Sequence, residues 1–257
     1  MRKNTTFIII FVFATLFAQN ELQHEETIYS VLWQKTSAEY RALAYQAYNL
    51  ATLRLKSALT EEHEKPLAII ADLDETVLDN SQFEALSILE GLNFYDDFMQ
   101  WVDEEGSTSV PGAFEFLKFA SENDVEIFYI SNRDEKFREG TLKNLQKLDF
   151  PYTDNDHILL RNGDSNKQYR RDLVSKKFEI VLLLGDNLID FLDVFRKKSI
   201  EQRYASVDSL QAEFGDKFIV LPNPMYGEWE KTIYGGTRKI SDEKKEAFRL
   251  EALQKKD

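Results

Sequence analysis

Four short, nearly unbroken apolar runs, at residues 67–73, 125–130, 179–184 and 218–221, alternate with longer stretches of helical character. Each run is too short for a buried helix and too continuous for a strand with one wet face. Buried parallel strands fit the pattern. Helical stretches at 112–121, 135–148 and 166–178 supply the crossovers that parallel neighbours need. The expected fold is α/β, a three-layer Rossmann-like core around a parallel sheet, with a smaller helical subdomain. Residues 25–60 predict one long helix, because apolar positions from Ile28 to Leu55 recur near helical spacing with neither Gly nor Pro. Segment 75–110 is long for a plain loop and predicts a small insert beyond the first strand. The polar stretch 239–257 predicts a solvated terminal helix or a frayed tail.

Composition narrows the class. With 257 residues the chain can bury a sizeable core. Met1-Arg2-Lys3, an apolar run over 7–17 and Ala18 have the form of a secretory signal peptide over residues 1–18, leaving 19–257 as the folded domain. The run is shorter than the ~20 apolar residues that span a bilayer. A periplasmic or secreted location is the expectation, with an uncleaved membrane anchor or a buried strand as the alternative reading of the run. The net charge of −13 argues against a polynucleotide partner and against anionic membrane surfaces. The absence of Cys excludes disulfides, Cys-zinc sites, thiol catalysis and a Cys-linked lipid anchor. Three scattered His do not make a histidine metal site.

In open α/β sheets, ligands bind beyond the carboxyl ends of the strands. The first run ends in Asp72-Leu73-Asp74-Glu75-Thr76, the second in Ser131-Asn132-Arg133, and the third in Gly185-Asp186-Asn187-Leu188-Ile189-Asp190. Ser165-Asn166-Lys167 opens the helix before the third. An Asp-x-Asp alone means little in so acidic a chain. Asp154-Asn155-Asp156 has the same spacing without an apolar run and reads as a loop. The four elements in this order are far more specific.

That combination resembles the haloacid dehalogenase superfamily of phosphohydrolases: D-x-D-x-T after a strand, a strand-end Ser, a helix-borne Lys and an acidic G-D-x-x-x-D. More narrowly, residues 71–81 (ADLDETVLDNS) are similar to the signature of class C acid phosphatases, the bacterial lipoprotein e family of 5′-nucleotidases and nonspecific acid phosphatases. Trp101-Val102, Val110-Pro111-Gly112-Ala113, Phe128 to Arg133, Gly185 to Phe191 and Pro222-Asn223-Pro224-Met225-Tyr226-Gly227 extend the likeness over about residues 25–235.

The chemistry agrees. Phosphate monoesters hydrolyse very slowly unaided, and a carboxylate nucleophile splits the reaction through an aspartyl-phosphate. Asp72 is the expected nucleophile. Asp74 is the expected general acid and then base; it must be protonated when substrate binds, so acidic neighbours and an acidic pH optimum are expected. Asp72 and an anionic substrate repel each other, which calls for Mg²⁺, a hard cation held by oxygen ligands. Asp72 and Asp186 are the expected side-chain ligands. The resemblance implies the Asp74 backbone carbonyl as another, and Asp190 reads as either a ligand or a supporting group. Lys167 supplies positive charge, with a solvated helix face as its plainer alternative. Ser131 and the Asn132 N–H would hold phosphate oxygens, with Arg133 alongside, although Ser131 could simply cap a helix. Asp79 and Asn80 are expected to shape the turn. By resemblance, Phe98 and Tyr226 clamp a nucleobase, and ordinary core packing is the alternative. The resemblance also implies a homodimer. Rival readings are a response-regulator receiver, a haloacid dehalogenase relative acting on sugar phosphates or phosphoproteins, and a catalytically silent binding protein.

Overall fold

The computed structural model describes residues 28–92 and 94–255. The expected signal segment lies outside them. From the N-terminal side come helix α1 (28–36), helix α2 (Ala38–Ala58), strand β1 (Leu67–Ala71), strand β2 (Leu78–Asp79), helix α3 (Ser81–Glu90) and helix α4 (Phe94–Asp103). Next are β3 (Thr108–Ser109), α5 (Ala113–Glu122), β4 (Glu126–Asp134), α6 (Arg138–Lys147), β5 (Ile158–Arg161) and α7 (Gln168–Ser175). The chain closes with β6 (Glu179–Gly185), α8 (Ile200–Ser209), β7 (Phe218–Val220), α9 (Glu228–Ile233) and α10 (Asp242–Gln254).

The single helix expected over 25–60 is two. Ser37 adopts an extended backbone, and its hydroxyl accepts from Tyr40 N at 3.0 Å, so a serine N-cap restarts the helix where no Gly or Pro marks a break. The main sheet has the order β5-β4-β1-β6-β7, and every pairing is parallel. β1 lies at its centre with all five residues buried. Its side chains alternate: Leu67, Ile69 and Ala71 join a core packed by α2, α5 and α6, while Ala68 and Ile70 join a second core with Val174 of α7, Phe191 and Phe218. Two covered faces explain why these strands read as unbroken apolar runs. β5 went unread because it offers only Ile158-Leu159-Leu160 at the sheet edge. Residues 75–110 hold α3, α4 and a two-stranded ribbon in which Leu78 faces Ser109 and Asp79 faces Thr108. Among the described residues, no helix is long and apolar enough to cross a membrane.

Candidate active site

The backbone turns sharply after β1. Asp72 N donates to Leu184 O at 3.0 Å, and Leu73 O accepts from Val77 N and Leu78 N at 2.9 and 2.8 Å. Glu75 sits in the left-handed region at φ 59°, uncommon for a residue with a Cβ. Its surroundings hold it there. Its N–H donates to Leu78 O at 2.7 Å, and its fully buried carboxyl accepts from Gln34 Nε2 (2.6 Å), Asn80 Nδ2 (3.0 Å) and the Tyr226 hydroxyl (2.9 Å). Burial, reinforced by Asp79 and Asp74, pushes this carboxyl well above the usual range.

Lys167 is the N-cap residue of α7 and is only 3% exposed. Its Nζ donates to Asp72 Oδ1 at 2.6 Å and forms an ion pair with Asp190 Oδ1 at 2.7 Å. The other Asp190 oxygen accepts from Asn187 N at 3.0 Å. Asp190 lies so close to Gly185 that a Cβ there would stand 2.6 Å from its own Cβ, which explains the glycine ahead of Asp186. Asp186 follows β6 and accepts from Asn223 Nδ2 at 2.7 Å. One oxygen from each of Asp72, Asp186 and Asp190 lies within 4.8 Å of the others.

Three carboxyls thus crowd together, and two of them share one ammonium. Burial pushes Asp72 up to about 7 despite the opposing pull of Lys167. Burial, then repulsion from Asp190 and Asp72, lifts Asp186 well above its usual range. Burial lowers the Lys167 ammonium, but Asp190 and Asp72 outweigh that and hold it above its ordinary value. Crowded oxygen donors, among which Asp186 accepts from an amide and not from a cation, suit a hard divalent cation.

Asp74 differs from expectation in its company. Arg133 donates to it through Nη2 at 2.8 Å and Nε at 3.0 Å, and Asn80 Nδ2 adds a bond at 2.8 Å. The acidic neighbours expected are present, since its charge acts on Asp72, Glu75 and Glu84, but its hydrogen-bond partners are these donors. Arg133, expected at the substrate, is buried; it spends Nη1 on Thr141 at 3.1 Å, stacks 5.6 Å from the Phe98 ring centre and is not among the described residues lining the cavity. Asn80 does tie the turn together, accepting from Trp101 Nε1 (3.1 Å) and Ser107 Oγ (2.6 Å).

Ser131 and Asn132 lie within β4, where its register with β5 shifts between Ile130 and Asp134. Ser131 therefore caps no helix; its hydroxyl accepts from Arg133 N at 3.1 Å. Asn132 Oδ1 accepts from Arg170 Nη2 at 2.8 Å. Sequence reasoning passed over Arg170 among the basic residues of α7, although its place three residues after Lys167, on the same helix face, was a usable signal.

A cavity of about 340 Å³ opens over these groups, lined by Asp72, Asp74, Ser131, Asn132, Lys167, Asp186 and Asp190 together with Phe98 and Tyr226. Phe98 packs edge-on to Phe83 at 5.1 Å and to Phe137 at 5.9 Å, so it is shared between core and cavity.

A parallel sheet whose carboxyl ends gather an Asp-x-Asp pair, a buried Lys and a second acidic pair around one cavity defines a haloacid dehalogenase-type phosphohydrolase. The sequence model of the HAD superfamily, subfamily IIIB (acid phosphatase), matches residues 10–229, and the chain belongs to that family. It is similar to the class C acid phosphatase from Bacillus anthracis, at 40% identity over 91% of this chain and 99% of that one, with a TM-score of 0.87. A crystal structure of the Bacillus anthracis class C enzyme with tungstate bound matches at the same identity, coverage and TM-score. The chain is a phosphomonoester hydrolase. Phosphatases of this superfamily use a divalent metal, and the acidic cluster is placed to hold one.

Proposed function

We propose that this chain is a Mg²⁺-dependent acid phosphatase of the periplasm or the secreted fraction, acting on nucleoside 5′-monophosphates through an aspartyl-phosphate on Asp72. The observation that carries the reading is the Asp72–Lys167–Asp190 ion-pair chain beside Asp186 and Asp74 in one cavity. The tungstate-bound Bacillus anthracis relative supports it, since tungstate is a tetrahedral oxyanion like phosphate. The resemblance implies a homodimer; the lack of Cys departs from the lipid-anchored members of the family and would leave no Cys-linked anchor, and the net charge of −13 disfavours a polynucleotide partner.

Asp72 attacks phosphorus as its ester bond breaks, and Asp74 protonates the departing oxygen. Asp74 next takes a proton from the water that hydrolyses the aspartyl-phosphate, which frees phosphate and restores Asp72. To serve both steps Asp74 must move its proton through Oδ2, which Arg133 Nε meets at 3.2 Å, while Arg133 Nη2 and Asn80 Nδ2 hold Oδ1 at 2.8 Å each. Lys167 orients Asp72 and neutralises charge that builds on the phosphoryl oxygens, and Asp190 fixes Lys167. Ser131 and Asn132 bind phosphate oxygens. Asp72, Asp186 and the Asp74 carbonyl would hold Mg²⁺, which when bound supplies charge neutralisation for the incoming dianion. Phe98 and Tyr226 stack on the base, tolerating any base because each has a π-face.

The test is hydrolysis of AMP, p-nitrophenyl phosphate, glucose 6-phosphate and phosphotyrosine with Mg²⁺ or EDTA. Activity should favour AMP, disappear in EDTA and be lost in Asp72→Asn. Full activity in EDTA overturns the metal, and preference for glucose 6-phosphate or phosphotyrosine overturns the substrate. Tyr226→Ala should raise KM for AMP more than for p-nitrophenyl phosphate; equal effects remove the clamp.

A further inference from the structure

Glu84 takes no part in this scheme, yet its position is suggestive. It lies on α3 next to Phe83, whose ring packs against Phe98, and it lines the same cavity as Phe98, Tyr226 and Asp72. The residue is half-buried, and among the described residues its carboxyl makes no hydrogen bond. Arg238 is the cation whose field opposes the effect of burial there. Its hydrogen bonds go elsewhere, from Nε to Glu230 Oε2 at 2.9 Å and from Nη2 to Gly227 O at 2.7 Å. Arg161, a second cation of the cavity lining, is paired with Asp134 at 3.1 Å. Both guanidiniums are therefore already neutralised by carboxylates, and the Glu84 carboxyl is left facing the cavity with hydrogen-bonding capacity unspent. A carboxyl so placed can exchange solvent for a donor carried by a ligand.

We propose that Glu84 selects the leaving group: its carboxyl hydrogen-bonds a neutral donor, a sugar hydroxyl or an exocyclic amine, on the group that departs from phosphate, and disfavours leaving groups with a second anionic substituent. The inference rests on the reading that the leaving group sits between Phe98 and Tyr226. A carboxyl accepts such a bond when ionised and retains an acceptor oxygen when protonated, whereas a second phosphate meets like charge once the carboxyl ionises at higher pH.

The experiment compares kcat/KM for AMP, ribose 5-phosphate and p-nitrophenyl phosphate in wild type, Glu84→Leu, Glu84→Ala and Glu84→Gln, with thermal melting to identify any variant that fails to fold. The leaving group of p-nitrophenyl phosphate carries no donor. The AMP to p-nitrophenyl phosphate ratio should fall about tenfold in the Leu and Ala variants, the size of one lost hydrogen bond, and return to within about threefold of wild type in the Gln variant. A matching fall for ribose 5-phosphate assigns the contact to a hydroxyl. A fall for AMP without one for inosine monophosphate assigns it to the amine. Discrimination against a nucleoside 3′,5′-bisphosphate, measured at about pH 8 where the carboxyl is ionised, should relax in both apolar variants. If the substrate ratios of the folded variants match those of wild type, Glu84 has no such role. If wild type turns over p-nitrophenyl phosphate but neither biological ester, the nucleotide reading itself is overturned.

Discussion

Replacing Lys167 by Met tests the centre of the arrangement. The change keeps most of the side-chain volume at a position 3% exposed and removes the ammonium that pairs with Asp72 and Asp190. Breaking a buried pair by deleting one partner costs about 3–5 kcal/mol, because the remaining charge is stranded. The stranded carboxyls have one escape, which is to take up protons. Asp72 already stands at about 7 with the lysine in place and would rise further without it. The folded variant therefore binds protons that its unfolded chain releases, so its stability is greatest at low pH and declines as pH rises through 7. Near pH 6 the loss should sit at the low end, about 3 kcal/mol, or about 6–12 °C in Tm for a chain of this size. Toward pH 8 it should grow by about 1.4 kcal/mol per pH unit for each carboxyl forced to ionise. Mg²⁺, which binds only the folded site, should narrow the deficit, while kcat stays about 10²–10³-fold down because the positive charge must also meet the phosphoryl oxygens. Lys167→Arg should not restore activity, since a planar fork does not fit a space shaped for one ammonium. Differential scanning fluorimetry from pH 5 to 8 with and without Mg²⁺, paired with kcat, checks each part. A Met variant within about 2 °C and twofold in kcat of wild type would refute the reasoning.

Asp74→Asn should slow hydrolysis most for esters with poor, basic leaving groups and least for p-nitrophenyl phosphate, whose phenolate departs without a proton; a uniform loss across leaving groups would remove Asp74 as the acid. Burial holds Glu84 at about 7 against its ordinary 4.5, so the folded state gains stability from it at low pH and loses that gain as pH climbs from about 5 to 7. After allowance for partial exposure this amounts to about 1–2 kcal/mol. Melting curves of Glu84→Gln should lack that slope, and parallel curves for the two proteins would contradict it.

The buried strands were legible because a parallel sheet covered on both faces imposes continuous apolarity, and chemistry at strand ends was legible because open α/β sheets place it there. What escaped reading depends on contacts across the fold. Nothing within residues 131–133 says that Arg133 will turn to Asp74, a partner 59 positions away, and not to a substrate. Strand β4 runs through Ser131 because β5 pairs with it, and β5 is itself too short and too near the edge to announce itself. Asp190 follows the same logic. Spacing alone left it between metal ligand and support, whereas the fold puts Lys167 on one of its oxygens and Asn187 N on the other. Sequence reasoning found the residue types and the chain positions; the pairing among them came from three dimensions.

The electrostatics of the whole site follow from that pairing. The chain carries a net −13, yet the proposed reaction brings an anionic ester to a carboxylate. Asp72, Asp74, Asp186 and Asp190 are matched by four buried cations, Lys167, Arg133, Arg170 and Arg171. Two of these cations pair directly with carboxylates. Arg170 and Arg171 instead hold backbone carbonyls of Leu159 and Asp190, so they add positive charge without forming an ion pair themselves. The formal count is balanced, and balance does not attract a dianion through the field of an acidic protein. Two further positive charges among the carboxylates turn the balance positive. Metal binding should therefore precede substrate binding, and the affinity for inorganic phosphate, a product with no leaving group to recognise, should depend on the divalent ion as steeply as turnover does.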